Sequence, residues 1–106
     1  EFIGDDRVIA PKLKDTMPKN PKEFFEKVIL NMKKMYKAGL VHADLSAFNI
    51  LNYNETPVFI DFSQCTTLKS PRANEYLDRD IRNICNFFRK IGLSLDEAKV
   101  KEKIVN

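Results

Sequence analysis

Three oxygen-bearing side chains stand among apolar residues and turn formers in the stretch VHADLSAFNILNYNETPVFIDF, residues 41–62: Asp44, Asn49 and Asp61. Burying a carboxylate without a partner is costly, so their company asks what they are gathered to hold. Asp44 lies in a loop just after the apolar pair Leu40 and Val41, and Asn49 follows in the same loop. The runs NILNY (49–53) and PVFIDF (57–62), separated by NET (54–56), read as a hairpin. Hairpin geometry then sets Asn49, at the start of the first strand, beside Asp61, at the end of the second, because antiparallel partners lie about 5 Å apart. An amide oxygen and a carboxylate at that spacing make a hard, all-oxygen site suited to Mg²⁺, which takes one or two carboxylates together with substrate phosphates. Asp44, one loop away, is placed to accept a proton from a hydroxyl that attacks a phosphate. An Asp taken singly reads as a turn cap; the three together favour a site.

The elements that must position these groups are mostly helical. Asn20, Pro21 and Glu23 form a helix entry, with Asn20 as N-cap, Pro21 at the first position and Glu23 closing a variant capping box. Phe24, Phe25, Val28, Ile29, Met32, Met35 and Tyr36 follow at helical spacing until Gly39 ends the segment, which spans 20–39. That aromatic and Met stripe reads as core. A second helix over 70–92 repeats the grammar, with Ser70 as cap, Pro71 at its start, a buried stripe of Ala73, Leu77, Ile81, Ile84, Phe88 and Ile91, and Gly92 as its stop. Asp80 falls within that helix and reads as an acceptor of backbone N–H groups from the loop around Asp44. A third, short amphipathic helix over 94–105 opens with a capping box from Ser94 to Glu97. Upstream, residues 1–20 read as an extended piece and a loop, broken by Gly4, Pro11 and Pro18. The fold class that follows is mainly α with one small β-hairpin.

Composition narrows the class. The 106 residues suit one modest domain; 43% are hydrophobic and 31% charged, which is globular rather than disordered. A net charge of +3 suits an anionic ligand or RNA-bearing partner, and equally a plain soluble surface. The lysines of MKKMYK (32–37) read as a solvated helix face or, alternatively, an RNA-facing patch. Cys65 and Cys85 lack metal-ligand spacing and read as reduced, small apolar residues. His42 is the single His, so a His-cluster metal site is excluded; its ring is expected in the core with a satisfied nitrogen. No apolar run reaches the roughly 18 residues of a membrane span. No secretory leader is visible, and an intracellular, cytoplasmic protein is expected. The opening without Met suggests a fragment.

HADLSAFN (42–49) followed by IDFSQ (60–64) resembles the catalytic loop and metal-binding motif of the protein-kinase fold, whose general pattern is H-R-D-x-x-x-x-N and then D-F-G. Within that superfamily the wording is most similar to the RIO atypical serine/threonine kinases: HADLS, Gln64 three residues after the second Asp, and YLDRDIRN followed by FF downstream carry the likeness. EFIG at the start resembles the hinge between the two lobes of such a kinase, and the likeness runs from Glu1 to Gly92. It implies that the chain is a kinase C-terminal lobe beginning at the hinge (1–7), with the N-terminal lobe outside it. It further implies Asp44 as the catalytic base and Asn49 and Asp61 as ligands of Mg²⁺ (or Mn²⁺), with Asp61 also able to accept phosphate as an aspartyl-phosphate. Backbone groups of Glu1 and Ile3 are implied to bind adenine of ATP, with Leu51 flooring the pocket. Ser46 stands where ordinary kinases place a γ-phosphate-contacting Lys, and reads either as such a contact or as a loop hydroxyl. Gln64 reads as orienting the loop or as making a turn bond.

The departures from the general kinase pattern matter as well. Ala43 replaces the Arg before the catalytic Asp, which removes the usual donor to a phosphorylated loop. Ser63 replaces the Gly of D-F-G, and few residues separate Asp61 from the helix near Pro71. The RIO likeness implies phosphoryl transfer or ATP hydrolysis in maturation of the small ribosomal subunit, with ATP, the pre-ribosomal particle or its rRNA, and a possible protein substrate as partners. Without the other lobe the isolated chain is expected to be nearly inert. The rival readings are small-molecule kinases of the aminoglycoside and choline type, the KEOPS-type kinase, and a non-catalytic kinase-derived binding module. Ala43 with Ser46, and Gln64 after Asp61, tell against the first two. The complete Asp–Asn–Asp set tells against the third.

Overall fold

The computed structural model describes residues 10–106. Helix α1 runs Pro21–Lys37, entered as expected: Asn20 Oδ1 accepts the Glu23 N–H at 3.2 Å and Pro21 takes the first position. It buries Phe24, Phe25, Val28, Ile29 and Met32. Gly39, at φ +85°, supplies the left-handed residue that ends it. The chain then enters β1 (Leu40–Val41), which pairs antiparallel with β4 (Thr66–Thr67) in the register Val41 to Thr66. This two-residue ribbon gave no sequence signal, since neither half is long enough to alternate. It gathers the two ends of the whole candidate region, residues 42–65, at one place.

The hairpin consists of β2 (Ile50–Tyr53) and β3 (Thr56–Phe59), registered Ile50 to Phe59 and Tyr53 to Thr56. Its turn is therefore Asn54–Glu55, one residue shorter than the expected Asn54–Glu55–Thr56 connection. Both turn residues have positive φ, +50° and +67°, the mark of a type I′ turn that matches strand twist. Glu is an unfavourable choice there, and five hydrogen bonds hold it. Its Oε1 accepts the Lys19 N–H at 2.8 Å and the Asn20 N–H at 3.4 Å, and its Oε2 accepts from Asn52 Nδ2 at 3.4 Å. Its own N–H goes to Asn52 Oδ1 at 2.8 Å, and Lys27 Nζ donates to its carbonyl oxygen at 3.1 Å. Glu55 thus satisfies the Asn20 N–H that a reciprocal capping box would have assigned to Glu23, and it ties the hairpin tip to the start of α1. Although partial burial pushes its carboxyl up, the bonds from Asn52, Asn20 and Lys19 win and hold it below the usual glutamate range.

Within the expected N-terminal loop a short 3₁₀ turn, Leu13–Asp15, buries Leu13 completely. It lies against the hairpin and the loop: Asn52 N–H donates to Pro11 O at 2.8 Å and Lys14 N–H to Ala47 O at 3.1 Å.

Helix α2, Ala73–Lys90, starts later than expected. Ser70 does not cap it; its hydroxyl accepts the Arg72 N–H at 3.3 Å and closes a turn around Pro71, and Arg72 is the N-cap residue. The interior stripe is as expected, with Leu77, Ile81, Ile84 and Phe88 buried, and Gly92 follows the helix at φ +109°. Helix α3, Glu97–Val105, is capped by Asp96, whose Oδ1 accepts the Ala98 N–H at 2.9 Å; the expected box from Ser94 to Glu97 does not form. Glu97 is instead drawn to α2, 2.9 Å from Arg89 Nη1 and 3.9 Å from Arg82 Nε.

The core sits where the three helices meet. Phe88 is fully buried, edge-on to Phe25 at 5.2 Å and Phe87 at 5.3 Å, with Phe24 tilted at 6.2 Å. Val100 and Ile104 of α3 join the same cluster. Burying one such ring contributes roughly 1.5–3 kcal/mol. Cys85 lies in this core as a free thiol, pushed up by burial, and Cys65 is half-buried and free. No helix among the described residues is long and apolar enough to cross a membrane.

Candidate active site

The loop from His42 to Asn49 leaves β1 and is fastened to α2 from below. Ala43 has φ +72°, a region an ordinary L residue avoids. Its N–H donates to Asp80 Oδ2 at 2.8 Å, and the Leu45 N–H donates to Asp80 Oδ1 at 3.0 Å. Asp80 is 1% exposed, so the expected anchor is present with both oxygens used. Burial pushes its carboxyl above the usual aspartate range, against the pull of those two N–H bonds, of His42 and of Arg79. The loop's carbonyl oxygens are held by the same helix: Arg79 Nη2 donates to Ala43 O, and Asn83 Nδ2 to Leu45 O at 3.3 Å.

His42 is buried, as expected, and both ring nitrogens are engaged. The Asp44 N–H donates to Nδ1 at 3.2 Å, which places the ring proton on Nε2, where it meets Ile60 O at 2.8 Å. One imidazole therefore links the loop of Asp44 to the residue before Asp61. Phe62, just after Asp61, lies against the same ring at 5.0 Å between centroids.

Asp44 is exposed, and Asn49 is brought directly onto it. Asn49 Nδ2 donates to the Asp44 carbonyl oxygen at 2.7 Å and lies 3.4 Å from Asp44 Oδ2. Asp61 is not the cross-strand partner of Asn49. The strand stops at Phe59, and the residue opposite Asn49 is Ile60, whose N–H donates to Asn49 O at 2.9 Å. Asp61 comes next, turned off the ladder at φ +58°, with the Ser63 hydroxyl donating to its Oδ1 at 2.8 Å. The positive φ ends pairing and re-aims the side chain, which a continuous strand could not do. Ser46 is half-buried, its hydroxyl accepting the Phe48 N–H at 3.2 Å. Leu51 is buried but lies outside the main cluster, on the face opposite Ile50, bridged to Lys12. Gln64 is exposed. Glu1 and Ile3 lie outside the described residues.

This donor set fits a hard divalent cation. Asn49 spends its amide nitrogen inward on Asp44, which leaves Oδ1 as a ligand oxygen, and Asp61 keeps Oδ2 beyond its bond from Ser63. Among the described residues no cluster of three or more His, Cys, Asp or Glu stands ready for a metal. One amide and one carboxylate oxygen suit an ion that fills its remaining positions with phosphate and water.

The fold and loop match a known family across almost the whole chain: the model described as RIO domain covers residues 1–102. The chain belongs to the RIO domain family. Within it, the chain is 47% identical over 91 residues to the RIO-type serine/threonine-protein kinase Rio1 of Methanocaldococcus jannaschii, covering 85% of this chain and 31% of that one. It is 40% identical over 103 residues to Rio1 of Thermoplasma acidophilum, covering 97% and 54%. Among solved structures it superposes on the Rio2 kinase of Chaetomium thermophilum in its ADP/Mg²⁺–phosphoaspartate complex with TM-score 0.73 and 27% identity, over 93% of this chain and 34% of that one. The chain thus spans about a third to a half of the length of these RIO relatives. The expected kinase-like C-lobe architecture is the one observed.

The partners of three residues at this RIO site were not legible in the sequence. Arg79 and Asn83 belong to the YLDRDIRN wording that carried the likeness, yet nothing in it says that they meet the carbonyls of Ala43 and Leu45, and the satisfied nitrogen expected of His42 did not name Ile60 as its partner.

Proposed function

We propose that the protein carrying this chain transfers the γ-phosphoryl group of ATP·Mg²⁺, as a serine/threonine kinase or an ATPase of the RIO type. The observation that carries the reading is the Asp44–Asn49 contact, with Ile60 bonded to Asn49 immediately before Asp61. Asn49 Oδ1 and Asp61 Oδ2 would hold Mg²⁺, which when bound neutralises phosphate charge. Asp44 accepts the proton of the attacking hydroxyl or water as the new P–O bond forms and the bond to ADP breaks, its electron pair leaving on ADP. The phosphoaspartate named in the Chaetomium thermophilum Rio2 structure supports Asp61 as an alternative acceptor, its carboxylate oxygen attacking in place of the hydroxyl. We extend the proposal to a cytoplasmic role in small ribosomal subunit maturation on the RIO resemblance of the sequence alone; the +3 charge suits an RNA-bearing partner.

The test is incubation of the full-length protein with γ-labelled ATP and Mg²⁺, following label into protein and into free phosphate. Label in a hydroxylamine-sensitive bond, lost in Asp61→Ala, supports the acyl-phosphate route. Label on Ser or Thr supports the kinase route. No transfer to protein or water would remove the assignment.

A further inference from the structure

Turning the backbone at Asp44 would swing its carboxylate away from any fixed target, and the structure closes that rotation from both sides. The peptide before Asp44 gives its N–H to His42 Nδ1 at 3.2 Å and its oxygen, that of Ala43, to Arg79. The peptide after Asp44 places its oxygen on Asn49 Nδ2 at 2.7 Å and its N–H, that of Leu45, on Asp80 Oδ1 at 3.0 Å. All four polar ends of the two rigid planes flanking this Cα are therefore bonded, and neither plane can rotate without breaking a bond.

Arg79, Asp80 and Asn83 stand at i, i+1 and i+4 of α2, close enough on the helix to reach one loop together. Their division of labour follows from their chemistry. An ionised Asp80 accepts only, so it holds N–H groups; the carbonyls of Ala43 and Leu45 need donors, and Arg79 and Asn83 supply them. Arg79 is itself steadied by the Tyr76 ring, 5.3 Å from its Cζ.

We propose that Arg79 and Asn83 are positioning residues that hold the loop's carbonyl oxygens on α2 and keep Asp44 in its working orientation without any modification of the chain. The Ala43 methyl offers no donor for a phosphorylated segment to recruit, so the armed state of this loop is set by α2. The inference rests on the reading of Asp44 as the base.

The experiment measures single-turnover phosphoryl transfer, the KM for ATP and backbone amide exchange across residues 43–45 in the full-length protein. The variants are Arg79→Ala, Arg79→Lys, Asn83→Ala, Asp44→Ala and, as control, Arg82→Ala, which removes the same charge from the same helix but faces Glu97. Arg79→Ala should lower kcat about 10- to 100-fold, the scale of a small misplacement of a reacting group. Its KM for ATP should stay within about twofold, and exchange at residues 43–45 should quicken. Lys at position 79 should restore part of the rate, Asn83→Ala should fall in the same direction, and Arg82→Ala should match wild type. Wild-type kcat and exchange in Arg79→Ala, with Asp44→Ala inactive, would overturn the positioning role and leave the function standing. A wild-type protein that transfers no phosphate would instead overturn the functional reading, and the exchange arm would still read the clamp. If Arg79→Ala does not fold, Asn83→Ala carries the test, and unchanged kcat and exchange in it overturn the proposal.

Discussion

Asn49 donates its side-chain amide to the carbonyl oxygen of Asp44 at 2.7 Å, so the nitrogen orients the loop of the proposed base and Oδ1 is left for the proposed role of metal ligand. The two duties sit on different atoms of the same amide, and substitution separates them. Asn49→Asp keeps an oxygen ligand but replaces the donor with an acceptor that faces the Asp44 carbonyl and carboxylate. Turnover of the full-length protein should fall at least about tenfold from this unmatched pair of acceptors, while Mg²⁺-dependent binding of a non-hydrolysable ATP analogue is retained. Asn49→Ala should lose both. Equal loss of binding in the two variants would show that the amide nitrogen does nothing distinct.

Asp44 and Asp61 occupy different settings and should fail differently. Both are exposed, but Asp44 has the Asn49 amide on its carbonyl oxygen, whereas Asp61 sits at φ +58° with Ser63 on one carboxylate oxygen. Asp44→Ala should lower turnover by about two to four orders of magnitude, the usual span for a positioned proton acceptor, with little change in ATP·Mg²⁺ affinity. Asp61→Ala should weaken Mg²⁺-dependent nucleotide binding as well as turnover. Paired titrations with and without Mg²⁺, beside single-turnover kinetics, check this; identical losses in both variants would make the two a single coupled metal site.

Asp80 and Glu55 should leave opposite pH signatures on stability. The Asp80 carboxyl is raised by burial, so between the usual aspartate value and the raised one the unfolded chain has released its proton while the folded chain keeps it. Its contribution therefore falls as pH rises through that window. The Glu55 carboxyl is lowered, so its contribution is present above the usual glutamate value and is lost as pH falls through the lowered one. Urea unfolding across the acid range should show the gap between wild type and Glu55→Gln closing on acidification. The gap to Asp80→Asn should narrow on the way up. At neutral pH, Asp80→Asn should cost about 1–3 kcal/mol, because one loop N–H then faces a donor.

Phe88 touches Phe24, Phe25 and Phe87 and is fully buried between α1 and α2. Phe88→Ala should destabilise the domain by about 3–5 kcal/mol through lost burial and the cavity left behind. Phe88→Leu should cost clearly less. Chemical denaturation of each variant checks the order, and equal costs would mean the site collapses around the deletion.

The sequence by itself determined the helices and the identity of the chemical groups. Asn20, Pro21 and Gly39 bracket α1, and the stripe from Leu77 to Phe88 names the buried face of α2, because caps and periodicity act between residues a few positions apart. The same local wording, HADLSAFN with IDFSQ, carried the kinase resemblance that the family match bears out, and Asp80 was legible as an anchor because an acid inside a core stripe needs donors. Tertiary structure decided the rest. The start of α2 moved from Ser70 to Arg72, the cap of α3 from Ser94 to Asp96, and the hairpin turn shrank to Asn54–Glu55, each by competition among neighbouring donors and acceptors of similar strength. Only the folded chain brings Arg79 and Asn83 to the carbonyls of Ala43 and Leu45, and His42 to Ile60. A carbonyl oxygen is present at every residue and so leaves no mark in the sequence; which one a distant side chain meets is fixed by packing alone.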